Sequence, residues 1–324
     1  MDRRLLSICI PTYNRASWLE QIITKMLHVC IEKSIHIYIS DNASPDNTEQ
    51  VGIKFQSKYD FIHYFRHESN IGPDDNFEFV LKLSDTKYRW LMSDTCYVED
   101  VDSMLVDLQN GEYDGYIVNA PRYRGQFLPT QKIHYSETIS LMRDIGWHLS
   151  WISCMIYNEK LVNAMNFEHY KASSFNQTAL MFETTAHREC NIVFNPNIIV
   201  YNLPSETKAS DWHNHIFDIM YRRWYLMIMS LPLYYPYEVK LKCIEDNARN
   251  SNVLKMRFLL KMYIEGRWNV GDVYRNRFFI KQAKGNYKSL LTIGLCPRVF
   301  FVLAKIGVKS LKSLLSLNKG RPSR

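Results

Sequence analysis

The chain has 324 residues, 46% of them hydrophobic and 23% charged, with a formal net charge of +7. This is the make-up of a globular protein and excludes a disordered or fibrous one. Its seven cysteines form no CxxC pair and are odd in number, which argues for a reducing compartment and against a disulfide framework or a zinc site. The N-terminus carries no signal-peptide pattern, and no apolar run reaches the roughly 18 residues of a spanning helix, so a cytoplasmic protein is expected.

Four short apolar runs each end in a polar cluster. Leu5 to Ile10 enters Pro11-Thr12-Tyr13-Asn14-Arg15, and Ile35 to Ile39 enters Ser40-Asp41-Asn42-Ala43-Ser44. Phe61 to Phe65 leads to Asn70-Ile71-Gly72-Pro73, and Tyr88 to Met92 enters Ser93-Asp94-Thr95. These are strand-length segments. In an open α/β sheet, ligands bind at the carboxyl ends of the strands, so the four clusters are expected to converge on one site.

Between the first two strands, Trp18, Leu19, Ile22, Ile23, Met26 and Leu27 recur at helical spacing. The spacing predicts a helix over 16–29 and hence a right-handed βαβ unit. Asn76 to Leu81 and Val98 to Leu108 also read as helices, and Tyr113 to Asn119 as a strand. This alternation predicts a mainly parallel sheet flanked by helices. Gly146 to Tyr157 is apolar and aromatic, unlike an exposed loop. A helix is expected over Ser173 to His187 and a strand over Ile192 to Leu203, broken at Asn195-Pro196-Asn197. From Asp211 onward the pattern is mostly helical, including Trp212 to Ser230 and Tyr237 to Met262. The division expected is an α/β domain over 1–210 and a basic helical region over 211–324.

That last region is strongly asymmetric in charge. From Lys255 to Arg324 there are 16 Lys or Arg against Glu265 and Asp272. Val299, Val302, Leu303, Ile306, Leu311, Leu314 and Leu315 fit one helical face, with Lys305, Lys309 and Lys312 toward the other. A basic amphipathic helix suits an anionic membrane surface; burial of its apolar face against the main domain is the competing explanation. A nucleic-acid partner would rest on this tail alone and is not expected.

The segments Ser7-Ile8-Cys9-Ile10-Pro11-Thr12-Tyr13-Asn14-Arg15, Ser40-Asp41-Asn42-Ala43-Ser44, Asn70-Ile71-Gly72 and Trp90-Leu91-Met92-Ser93-Asp94 resemble, as an ordered set, the family 2 glycosyltransferases. These are inverting enzymes of the GT-A nucleotide-diphospho-sugar transferase fold. Gly146-Trp147-His148 and Trp151-Ile152-Ser153 look similar to bacterial O-antigen enzymes of the abequosyltransferase type. The resemblance implies a GT-A α/β fold with a helical C-terminal extension. It also implies transfer of a sugar from a nucleotide diphosphate to a hydroxyl of a lipid-linked surface glycan, at the inner face of the bacterial cytoplasmic membrane.

The resemblance places Pro11, Thr12, Tyr13 and Arg15 around base and diphosphate. Tyr13 offers a flat face and Arg15 a planar fork for phosphate oxygens. A plain strand-to-helix turn capped by Asn14 is the alternative. Asp41, with Asn42, matches the carboxylate that accepts from the base's NH edge, although Asp-Asn-Ala-Ser-Pro is also turn chemistry. Asn70 and Gly72 match a loop near the nucleotide, and Gly72 also suits a positive φ. Ser93 and Asp94 match the start of the metal-binding carboxylate run. A leaving nucleoside diphosphate develops negative charge, which Mn²⁺ or Mg²⁺ held by oxygen ligands neutralises.

Here the usual second carboxylate is Cys96, a soft thiol poorly matched to either ion. Three arrangements remain: Asp94 holds the metal with water and phosphate, Glu99 or Asp100 assists, or Arg122, Arg124, Arg222 or Arg223 takes over the charge. The family's Glu-Asp base pair is not evident. His148, Glu183 and His187 are the candidate bases, and Trp147 and Trp151 offer either a platform for an acceptor sugar or ordinary core packing. His213 or His215 is a candidate late metal ligand. The rival activities are a catalytically inactive sugar-nucleotide-binding or scaffolding relative and a nucleotidyltransferase. The latter lacks its customary glycine-rich loop, since Pro11 to Arg15 contains no glycine.

Overall fold

The structure, a computed structural model, describes residues 4–120, 127–204 and 211–301. The first third is a run of strand-helix units: β1 (Leu6–Thr12), α1 (Ala16–Lys33), β2 (His36–Asp41), α2 (Thr48–Lys58), β3 (Ile62–Arg66), α3 (Pro73–Leu83) and β4 (Tyr88–Leu91). Side chains alternate across a strand. Ile8 and Ile10 of β1 therefore enter the hydrophobic cluster beneath α1, whereas Cys9 enters the cluster on the opposite face. Helix α1 runs past the expected Val29 to Lys33, where Ser34 takes a left-handed conformation (φ 54°) and caps the carbonyls of Cys30 and Ile31.

Helix α2 escaped the sequence reading because it buries little: only Thr48, Gly52 and Phe55. Gly52 is there for close approach. A Cβ at this position would lie 2.1 Å from the Tyr64 ring of β3, and that ring needs the space to reach Asp41.

The chain continues through β5 (Cys96–Val98), α4 (Asp102–Asn110), β6 (Gly115–Asn119), β7 (Ile133–Tyr135), α5 (Thr138–Ile145), β8 (Met155–Asn158), α6 (Glu159–Ala164), α7 (Asn176–Thr185) and β9 (Ile192–Asn202). The nine strands form one sheet ordered β3-β2-β1-β4-β8-β6-β9-β5, with β7 also on β9. Pairing is parallel from β3 to β4 and turns antiparallel at β8, giving a mixed sheet. The expected helix over 98–108 begins only at Asp102, because buried Cys96 and Val98 pair with β9 instead. The expected break in β9 is a register shift, in which Val118 faces Asn195 but Asn119 faces Ile199.

The C-terminal helices are α8 (Trp224–Ser230), α9 (Tyr237–Asn250), α10 (Met256–Ile264), α11 (Val270–Arg275), α12 (Arg277–Gln282) and α13 (Tyr287–Leu295). The continuous helices expected over 212–230 and 237–262 are interrupted. A 3₁₀ turn (Asp211–His215) and a π-turn (Asp218–Arg223) precede α8. Extended Ser251 (ψ 125°) stops α9 before a further 3₁₀ turn. These helices share one hydrophobic cluster with the α3, α5 and α7 face of the sheet, extending to Leu290. No helix of the described residues is long and apolar enough to cross a membrane. The amphipathic pattern over 302–324 lies outside the described residues.

Candidate active site

Strands β1 and β4 are parallel neighbours, while β2 and β3 lie on the other side of β1. The strand order therefore reverses between β1 and β4, and a crevice opens at their carboxyl ends. Thr12 ends β1 and Asp94 follows β4. The Thr12 hydroxyl donates to Asp94 Oδ2 at 2.9 Å. The Tyr13 amide also points at this carboxylate, and the Arg15 guanidinium faces it. Burial raises the Asp94 pKa above the usual carboxylate value, opposed by Arg15 and the Thr12 hydrogen bond. A partly buried carboxylate of this kind is favoured in its charged form by any nearby cation.

The turn after β1 is tied to the loop after β2. The Asn14 N–H donates to Ser44 Oγ (2.8 Å), Arg15 N–H to Thr48 Oγ1 (3.1 Å) and Ala16 N–H to Asp46 Oδ2 (3.0 Å). Asn14 itself sits in the left-handed region, φ 57°. It is thus not the cap of α1; Asp46, reaching across from the neighbouring loop, satisfies the helix's first amide. Pro11 is buried in β1, and Tyr13 is 46% exposed, its ring open to a planar ligand.

Asp41 is completely buried and uses both carboxylate oxygens. Oδ1 accepts from the Ser44 amide and hydroxyl (2.9 and 2.5 Å), and Oδ2 from the Tyr64 hydroxyl (2.7 Å) and Arg66 Nη1 (3.0 Å). It makes the turn that the Asp-Asn-Ala-Ser-Pro segment suggested, and a base could engage it only by displacing one of these donors. Asn42 acts as a brace. Its Nδ2 donates to Asn70 Oδ1 and the Gly72 carbonyl (both 3.1 Å), and its Oδ1 accepts from the Ile71 amide (2.8 Å). Asn70 also accepts from the Gly72 amide (2.9 Å). Gly72 has φ 87° and ψ 164°, with nothing within 4 Å of an added Cβ. Backbone conformation alone requires glycine there.

Beside the Ser93-Asp94-Thr95 turn lies a cavity of about 470 Å³. Ser93 and Thr95 contribute to its wall, together with Trp147, His148 and Trp151 from the irregular segment after α5. The three residues singled out in the sequence thus share one cavity wall. Trp147 is only 2% exposed and therefore also a core residue, whereas Trp151 is partly exposed. His148 Nε2 lies 2.8 Å from the Val118 carbonyl and donates to it, so the ring nitrogen bearing the proton is fixed.

Several wall residues were missed: Asp74 and Phe77 of α3, Ser174 and Gln177 at the start of α7, and Trp212. Asp74 is 6% exposed. Its Oδ1 and the Gln177 Oε1 are buried without a hydrogen-bond partner among the described residues. Burial pushes the Asp74 carboxyl up to about 6. In the sequence, Gly72-Pro73-Asp74-Asp75 looks like an ordinary acidic first turn of a helix, which conceals this role.

Other candidates lie elsewhere. Glu183 is two turns along α7 from Gln177, paired with His169 at 2.9 Å, and does not line the cavity. His187 is exposed in the turn after α7, against Tyr234. His213 stacks on Trp212 (4.1 Å between centroids), and His215 borders a separate depression. Among the described residues no group of three or more His, Cys, Asp or Glu side chains could hold a metal ion. Cys96 is buried and donates to Asn202 Oδ1 (3.1 Å). Glu99 and Asp100 are exposed beyond the far end of β5. Arg222 and Arg223 both grip Asp218, and Arg223 also donates to Ser174 Oγ (2.9 Å) behind Asp74. Arg122 and Arg124 lie outside the described residues.

Among the described residues, a metal at Asp94 would find one hard oxygen there, and its remaining ligands would be phosphate oxygens and water, a mode magnesium commonly adopts.

Residues 7–167 match the family model described as Glycosyl transferase family 2. Abequosyltransferase RfbV of Salmonella typhimurium is 29% identical over 201 residues, which is 55% of this chain and 60% of that protein. The match thus spans less than two thirds of that relative's length. Among solved structures, TarS 1–349 of S. aureus in complex with UDP-GlcNAc superposes with TM-score 0.54 at 14% identity, covering 89% of this chain and 90% of that one. The mannosyltransferase PcManGT from Pyrobaculum calidifontis, in complex with GDP-Man and Mn²⁺, gives TM-score 0.54 at 10% identity over 94% and 86%. At these identities the two structures establish the GT-A fold.

Proposed function

Residues 7–167 match the family model described as Glycosyl transferase family 2, and from that premise we propose that the protein transfers a sugar, with inversion, from a nucleotide diphosphate to an acceptor hydroxyl. The observation that carries this reading is the placement of Asp94. It sits at the strand switch between Thr12 and Arg15 and next to the aromatic cavity. Tyr13 stacks on the base, and the Asn42–Asn70–Gly72 brace shapes the pocket beside it. Asp41 acts mainly by holding that loop rigid. Arg15 binds diphosphate oxygens and stabilises the charge that builds on them as the sugar leaves. Asp94 would hold Mn²⁺ or Mg²⁺, which when bound neutralises the leaving diphosphate. The cavity receives the acceptor, with Trp147, Trp151 and Trp212 packing on the apolar faces of sugar rings.

The likeness to RfbV supports a deoxysugar donor and a surface-glycan acceptor. A lipid-linked acceptor places the enzyme at the inner face of the cytoplasmic membrane. The Arg- and Lys-rich surface of α10 to α13, with exposed Tyr274, Phe278 and Phe300, supports anchoring there.

The test is release of nucleoside diphosphate from UDP-, CDP-, GDP- and dTDP-sugars, with octyl glycosides as acceptors. Acceptor-dependent release with one nucleotide is expected; a protein that binds nucleotide but never turns over would be the inactive relative. Flotation with anionic but not neutral vesicles at physiological salt is expected for the membrane arm, and absence of flotation would refute it.

A further inference from the structure

A sugar-transferring site needs a group to take the proton of the attacking hydroxyl, and such a group has to stand within hydrogen-bond reach of it. Among the described residues, the wall of the cavity beside Asp94 holds one carboxylate, Asp74. Its position is set by the backbone. Gly72 turns the chain with its positive φ, Pro73 starts α3, and the first turn then carries Asp74 in the same cavity wall as Ser93, Thr95 and Gln177. The side chain is nearly closed to solvent yet poorly satisfied. Oδ2 accepts a long bond from the Ser174 amide (3.4 Å), and Oδ1 has no partner among the described residues.

Leaving a buried carboxylate oxygen unpaired is costly, and native proteins rarely do so without a ligand or function to account for it. The Gln177 Oε1 in the same wall is buried and unpaired as well. Both residues belong to the wall of an aromatic-lined cavity, and two unpaired acceptor oxygens there suit a ligand rich in hydroxyl donors.

We propose that Asp74 is the general base of the transfer reaction, taking the proton from the acceptor hydroxyl; this rests on the function proposed above. The acceptor oxygen's lone pair forms the new bond to the anomeric carbon. The bond from that carbon to the diphosphate oxygen breaks, its electron pair leaving on the nucleoside diphosphate. The hydroxyl proton passes to the Asp74 carboxylate and is later lost to water. Gln177 accepts a second acceptor hydroxyl and orients it. His148, whose Nε2–H is committed to the Val118 carbonyl, positions the aromatic wall.

The charged and titratable groups around Asp74 fit this role. Burial raises its pKa to about 6, helped by adjacent Asp75 and restrained by Arg223 and the backbone amides of Ala172 and Ser174. Asp75 is itself compensated by Lys171 at 3.5 Å, and Arg223 by Asp218. His148 lines the same cavity. A base poised about one unit below neutrality is ionised at work and still basic enough to accept a proton.

The experiment compares wild type, Asp74→Asn, Asp74→Glu and Glu183→Gln. Its readouts are kcat and KM for octyl glycoside acceptors from pH 5 to 8.5, and thermal stabilisation by the nucleotide that wild type prefers. For Asp74→Asn, kcat is expected to fall about 10²- to 10⁴-fold, with nucleotide stabilisation retained as proof of folding. The acid limb of the wild-type kcat profile, near pH 6, is expected to vanish in this variant. Asp74→Glu restores part of the rate, and Glu183→Gln stays within threefold of wild type. Asp74→Asn within threefold of wild type, or a loss confined to KM with the acid limb intact, overturns the assignment while the transferase reading stands. Wild type that neither binds nucleotide nor turns over removes the transferase reading and the base assignment with it.

Discussion

The two halves of the site are built in opposite ways. The proposed nucleotide half comes from the ends of β1, β2 and β4 within the first 94 residues. Its polar side chains are almost all engaged with one another: Asp41 by four donors, Asn42 by three partners, Asp94 by Thr12. The proposed acceptor half is assembled from the starts of α3 and α7, the irregular segment after α5 and the 212–220 turn region, and among the described residues Asp74 and Gln177 each keep an unpaired oxygen. A half that must hold one invariant ligand class can be rigid and self-satisfied. A half that must admit a hydroxyl-bearing substrate keeps its hydrogen-bonding capacity open until the ligand arrives.

The largest expected effect sharpens this contrast at its boundary. Asp94→Asn is expected to lower kcat about 10²- to 10³-fold, the usual cost of losing one charge-stabilising group, with little change in melting temperature; steady-state kinetics and a thermal melt check both. In the self-satisfied half, Asp41→Ala is expected to destabilise the fold by about 3 kcal/mol or more. It strands the Tyr64 hydroxyl and the partly exposed Arg66 guanidinium beside a buried hole, and urea unfolding measures it.

The open half is expected to respond to pH. The folded pKa of Asp74, about 6, lies above the ordinary 3.8. In that window the native state keeps a proton that the unfolded chain has released, so stability falls as pH rises from about 4 to about 6. Asp74→Asn is expected to remove this decline and to melt higher than wild type at pH 7. A variant melting lower there would show that the carboxylate supports the fold.

Legibility follows the same division. The strand-turn clusters from Pro11 to Asp94 could be read because one short segment carries both the strand and its polar end, and the parallel order brings the ends together. Trp147, His148 and Trp151 could be read because an aromatic run is out of place in an exposed loop. Asp74, Gln177 and Trp212 could not. Their shared cavity joins positions about 140 residues apart in sequence, and an acid in the first turn of a helix ordinarily means only a favourable dipole interaction. Glu183 drew attention as an acid on a mid-chain helix, but helical periodicity turns it away from Gln177 and onto His169.

Two smaller effects complete the comparison. Trp212→Leu is expected to raise the acceptor KM several-fold while leaving nucleotide binding unchanged, since the ring is partly exposed on the cavity wall; an unchanged KM would exclude Trp212 from the acceptor site. Gly72→Ala meets no steric neighbour, and its cost is the backbone strain at φ 87°, about 1–3 kcal/mol. A thermal melt measures this, and a neutral outcome would mean that the loop can relax without disturbing Asn42 and Asn70.

The central proposal is that a nucleoside diphosphate is held at the β1/β4 switch point by Arg15 and by a divalent cation that Asp94 would carry. It is tested most directly by thermal stabilisation of wild type and Asp94→Asn with UDP, CDP, GDP and dTDP, each with and without Mn²⁺. A ligand that binds only the native state must raise its stability, by about 2.7 kcal/mol at one hundred times Kd. One nucleotide is expected to stabilise wild type, with a further gain from Mn²⁺ that is lost in Asp94→Asn. Stabilisation by none of the four would contradict the account.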